Sequence, residues 1–174
     1  MKKLVTLLSA FALSLAITSC GGKETPKNIE APAGMVALDL SKFGKQFSIF
    51  VPDTTAAKLE ITEQSWGALE IKVGNGFQLS ITEDPGDMEL RKSDIKSNDV
   101  NIFKSFVIDE PLTIMWESEI TKPEYHFYSI QKMGANTYVF EDVVSADGTP
   151  LSKEDVKKMV DSAKSLIEKQ KTDS

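Results

Sequence analysis

Cysteine and histidine are almost missing from this chain of 174 residues, which holds one of each, Cys20 and His126. One cysteine cannot close a disulfide within the chain, and a zinc site needs three or four nitrogen, sulfur or carboxylate ligands. His126 would have to recruit several carboxylates to hold a metal. A strand histidine with solvent or a hydrogen-bond partner is the simpler reading. A His126-dependent hydrolase would need a serine and a carboxylate to meet the ring in space, yet no serine stands in a Gly-x-Ser-x-Gly elbow. Gly74-Asn75-Gly76 lacks the further glycine and the lysine of a phosphate-binding loop. No motif implies a cofactor. Positive charge is also short, since 20 Lys and Arg face 26 Asp and Glu for a formal net charge of −6. Such a surface repels phosphate backbones, which disfavours a nucleic-acid partner.

The apolar run from Leu4 to Ile17 is too short for a bilayer span of about twenty residues. It follows Lys2 and Lys3 and has the length of a signal-peptide core. Directly after it, Ile17-Thr18-Ser19-Cys20-Gly21 resembles the lipobox of bacterial lipoproteins: an aliphatic residue, two small residues, then the cysteine that receives lipid. The resemblance implies cleavage before Cys20 and two or three acyl chains on it. At about 0.8 kcal/mol per buried CH₂, that number of chains anchors a protein stably to a membrane. A cysteine so used leaves the mature protein without a thiol, excluding cysteine nucleophiles and thiolate metal sites. Loss of Lys2 and Lys3 with the leader takes the net charge to −8. Gly21 lacks the aspartate that retains enterobacterial lipoproteins in the inner membrane, so the outer membrane is the expected location.

Three segments follow: a leader over 1–19, a lipidated cysteine and flexible tether over 20–34, and a single globular domain over 35–174. The tether is rich in Gly, Pro, Lys and Glu without apolar periodicity. Its Lys23-Glu24 pair resembles the charged export tags of some surface lipoproteins, although a solvated linker pair explains it as well.

From Met35 onward, short alternating runs between turn residues predict a half-buried antiparallel sheet. Val36, Leu38 and Leu40 alternate in one run, and Phe47, Ile49 and Val51 in another that stops at Pro52. A hairpin over 68–83 sets Leu69, Ile71 and Val73 against Phe77, Leu79 and Ile81, with Asn75-Gly76 expected to supply the positive φ angles of the turn. Asp84-Pro85 predicts the start of a short helix ending near Asn98. One or two strands are expected over 103–119, broken at Pro111. A second hairpin joins 125–131 to 137–141 through Gly134 and Asn136. In the last element Ser152 caps, Asp155 answers it three positions on, and Leu151 staples against Val156. Val156, Met159, Val160, Ala163, Leu166 and Ile167 then share one face of an amphipathic helix. The fold class is α+β, an antiparallel sheet with a C-terminal amphipathic helix packed on it.

This order, with its Phe47-Ser48-Ile49-Phe50-Val51-Pro52 start, Tyr138-Val139-Phe140 late strand and closing helix, resembles the PsbP and DcrB-like families. That resemblance implies an α-β-α sandwich around an antiparallel sheet. It implies no shared chemistry, and fold alone does not carry function.

Two further features invite a site. Glu83, Asp84, Asp87 and Glu89 crowd four carboxylates together, but their spacing matches no calcium loop, and acids at a helix start also complement its dipole. Trp66 and Trp116 could stack on a glycan or apolar ligand, although core packing is the commoner fate of tryptophan. Three functions follow in order. The first is a non-catalytic binding or accessory module for an envelope protein partner, held to the membrane through Cys20. The second is a carrier of a small apolar or glycan ligand contacted by Trp66 or Trp116, and the third is the His126-dependent hydrolase.

Overall fold

The computed structural model describes residues 30–55, 57–145 and 147–168. The expected leader, the lipobox-like segment with Cys20, and the expected tether up to residue 29 lie outside the described residues.

Among the described residues, ten strands form two antiparallel sheets. The small sheet has the order β1-β2-β10, from β1 (Met35–Asp39), β2 (Phe47–Pro52) and β10 (Ile167–Glu168). The large one has the order β3-β4-β5-β9-β8-β7-β6. Its strands are β3 (Leu59–Glu63), β4 (Leu69–Val73), β5 (Phe77–Glu83), β6 (Ile102–Glu110), β7 (Thr113–Glu119), β8 (Pro123–Met133) and β9 (Asn136–Asp142). Among the described residues two α-helices accompany them, α1 (Met88–Lys96) and α2 (Lys153–Lys164).

Strand alternation divides the core in two. Ile71, Leu79, Ile81, Met115, Phe127 and Phe140 point to the face covered by α2 and β2, where Val156, Met159, Val160 and Ala163 are fully buried. Each large side chain so enclosed contributes about 1.5–3 kcal/mol. Ile114, Trp116, Tyr128, Ile130 and Val139 point to the opposite face, against Met88 and Ile95 of α1. The helices thus flank the large sheet, as an α-β-α arrangement requires, with the small sheet sharing the α2 layer.

The hairpin of β4 and β5 has the expected register, with Leu69 opposite Ile81, Ile71 opposite Leu79 and Val73 opposite Phe77. Its turn differs. Gly74 carries the positive φ (+59°), while Asn75 and Gly76 do not. Gly76 serves a different need, because a Cβ there would lie 2.7 Å from an Asp155 carboxylate oxygen at the start of α2.

The helix expected at Asp84-Pro85 begins three residues later. Asp84 Oδ1 accepts from Gly86 N–H at 2.7 Å, and Gly86 turns left-handed (φ +66°), so the chain cannot be helical until Asp87. Asp87, in extended backbone, then caps the helix by accepting from Leu90 N–H at 2.9 Å.

The closing helix has the expected cap, Ser152 Oγ accepting from Asp155 N–H, but stops at Lys164. Leu166 and Ile167 lie beyond its end, partly buried against the core, and Ile167 pairs with Ser48 of β2. One other expectation shifts. Val36 is exposed, because Met35 takes the inward place at the start of edge strand β1. Strand β3, which no expectation covered although Leu59 and Ile61 alternate with Glu60 and Thr62, adds an edge on which those two side chains are partly buried.

Candidate functional site

The richest polar chemistry gathers on the α1 face of the large sheet, where β7, β8 and β9 run side by side. Register places Trp116 of β7 opposite His126 of β8, and their rings lie 5.4 Å apart at 31°. Strand β9 ends at Asp142, whose carboxylate replaces the next ladder bonds. One oxygen accepts from Phe127 N–H at 2.8 Å and the other from His126 Nδ1 at 2.8 Å. A carboxylate only accepts, so Nδ1 carries a proton. The other ring nitrogen, Nε2, lies 3.3 Å from the Asn101 amide nitrogen and 3.6 Å from Glu124 Oε2.

Each partner is positioned locally. Glu124 sits two residues before His126 and so shares its face. Asn101 is presented by the loop from α1 to β6, where Asn98 Oδ1 accepts the N–H groups of Val100 and Asn101. Burial alone would push the imidazole towards its neutral form. The hydrogen bond and charge of Asp142, followed by those of Glu124, outweigh it and hold the pKa above the usual value.

Beside this cluster, Arg91 of α1 stacks over Tyr128 (5.1 Å from guanidinium carbon to ring centroid) and Trp116 (5.7 Å). It pairs with Glu141 of β9 at 2.9 Å. Burial raises the Glu141 pKa; Arg91 opposes the rise and Asp142 adds to it. Between the start of α1 and the sheet lies an open groove of about 610 Å³. Tyr128 and Val139 lie beneath it, Pro85 and the exposed Leu90 add apolar wall, and Asp84, Asp87, Asp94 and Glu141 make its charge acidic against the single cation Arg91.

The residues singled out in the sequence fall in different places. Trp116 is buried in this cluster, as core packing anticipates, whereas Trp66 is 69% exposed on the β3–β4 turn. Four strand spacings separate β4 from β7, about 19 Å at ~4.8 Å each, so the two tryptophans do not share a ligand site. The carboxylates at 83–89 have local structural roles and do not converge on one point. Asp84 and Asp87 hold turn and cap, Glu89 lies in the first turn of α1, and Glu83 faces Lys45 at 4.0 Å. Among the described residues no three His, Cys, Asp or Glu converge as a metal set. Both His126 nitrogens face Asp142, Asn101 and Glu124 rather than a serine hydroxyl. Sequence reasoning missed Asp142, Asn101 and Glu141, which only topology brings to β8. No family model, curated protein or solved structure matches this chain.

Proposed function

We propose that this chain is a lipid-anchored cell-envelope protein whose globular domain is a non-catalytic binding module, and that the groove beside α1 docks a basic segment of an envelope protein partner. The observation that carries the docking reading is the groove's make-up: exposed Leu90 and Pro85 beside four carboxylates and one arginine already paired to Glu141. An apolar wall with an acidic rim complements lysine or arginine side chains, whose stems lie on apolar surface while their heads meet carboxylates. The lipobox at Cys20 supports the anchor, with the outer membrane as its location.

Docking is tested with two peptides of equal length, one with alternating lysine and leucine and one with glutamate in place of lysine. The lysine peptide should bind the purified domain more tightly, lose affinity with added salt, and lose it again in Asp87→Asn/Asp94→Asn and Leu90→Ser variants. Equal affinity for both peptides, or binding untouched by these changes, would falsify the groove assignment. The anchor is tested separately by labelling cells with a tagged fatty acid. Label should appear on the native protein and vanish in Cys20→Ser, which should leave the membrane fraction; an unlabelled native protein overturns the anchor alone.

A further inference from the structure

We infer that His126, held to the end of β9 by Asp142, is a proton-operated latch that when charged draws Glu124 onto its ring and so ties down the start of β8 and the β7–β8 turn. The inference stands on the side-chain cluster around the ring and does not depend on the groove reading.

With Nδ1 committed to Asp142, titration of the ring changes only Nε2, which donates when the imidazole is charged and accepts when it is neutral. Its two neighbours answer these states oppositely. Glu124 only accepts, so its carboxylate 3.6 Å away is drawn in by the charged ring and loses its attraction to the neutral one. Asn101 can serve either state. Its amide nitrogen, 3.3 Å from Nε2, donates to the neutral ring, and a half-turn of the amide would offer Oδ1 to the charged ring. In the present orientation that oxygen is buried without a protein partner. Glu124 therefore stands where the charged ring wants it, while the amide stands as the neutral ring wants it. One amide rotation and the position of one carboxylate separate the two states.

The charged and titratable groups around the ring come from each neighbouring element: Asp142 from β9, Glu124 from β8 itself and, beyond Trp116 of β7, Arg91 of α1 with its partner Glu141. The loop before β6 contributes only the neutral amide of Asn101. In direct contact, two carboxylates with side-chain exposures of 6% and 19% share one imidazole. Deprotonation leaves both facing a neutral ring. Asp142 stays fastened by Phe127 N–H, so Glu124 is the partner that leaves. The turn at Ile120, Thr121 and Lys122, which carries the exposed Ile120, then loses one of its ties.

The test follows the His126 ring by NMR from pH 5 to 9 while hydrogen exchange reports opening of residues 119–126, corrected for intrinsic exchange. The ring should titrate above 6.5, and opening of the turn should become roughly two- to fivefold more frequent across that midpoint, the range of a partly exposed ion pair. Asp142→Asn also disturbs the Phe127 contact and with it the fold, so Glu124→Gln is the deciding variant. It should lower the ring's midpoint and remove the pH dependence of the opening. A midpoint at or below 6.5, an opening that ignores it, or a Glu124→Gln protein that still opens with the wild-type pH profile each overturn the latch.

Discussion

Gly74 shows how one backbone angle decides a turn. The glycine, not the Asn-Gly pair after it, holds the left-handed conformation (φ +59°), and a Cβ there would also come within 3.3 Å of Ala57. Gly74→Ala should therefore cost about 1 kcal/mol or more in urea unfolding, whereas Asn75→Ala, at ordinary φ, should change little. Comparable losses at both positions would mean that the turn is built differently. Met159 offers a larger effect for a different reason. Its side chain is fully enclosed between α2 and the large sheet, and its sulfur lies 3.3 Å from Gln78 N–H. Met159→Ala should cost about 2–5 kcal/mol through lost burial and the cavity left behind. A loss below 1 kcal/mol would show that the two layers close over the gap.

Helix α2 shows what short-range signals can specify. Ser152 accepts from Asp155 N–H at 3.2 Å and donates to the Asp155 carboxylate at 2.7 Å, and Leu151 is buried just before the cap. Ser152→Ala should cost about 1 kcal/mol and fray the first turn by hydrogen exchange, leaving residues 159–163 protected by packing. Equal loss of protection along the helix would indicate that the cap controls docking rather than the end alone. This start was legible because cap, acid and staple all lie within six residues. The same holds for the β4–β5 hairpin, whose alternation and short loop fix register together. The start of α1 was misplaced because Asp84 and Asp87 are both capping residues, and only the turn through Gly86 selects the second. The end of α2 was misplaced because an apolar stripe does not reveal when its last members pair with a strand more than a hundred residues earlier. The site was legible in part for the same reason. His126 and Trp116 stand out by rarity, but Asp142, Asn101 and Glu141 are ordinary polar residues until β9 is laid beside β8.

At the scale of the whole molecule, the same contacts set a direction for stability against pH. His126 has its folded pKa raised above 6.5, so its contribution is fully present below 6.5 and is lost as pH rises through the folded value. Glu141 acts in the same sense. Burial raises its pKa above 4.5, so ionising it in the folded protein costs stability as pH climbs past that value. The formal net charge of −6 at pH 7 adds self-repulsion that grows as the solution becomes more alkaline. Acid works the other way through Asp147, held down to about 2 by the Ser145 hydroxyl and the Thr149 backbone N–H. Its stabilising contribution is present above the unfolded value of 3.8 and is lost as pH falls towards 2. The melting temperature of dilute protein should therefore peak between roughly pH 4 and 6.5 and decline on both sides. In Glu124→Gln the alkaline decline should become shallower while the acid limb stays where it is, because Asp147 lies on the loop between β9 and α2 and takes no part in the latch. A wild-type melting temperature that rises from pH 6 to 8 would show that the imidazolium between Asp142 and Glu124 does not govern how this acidic protein responds to protons.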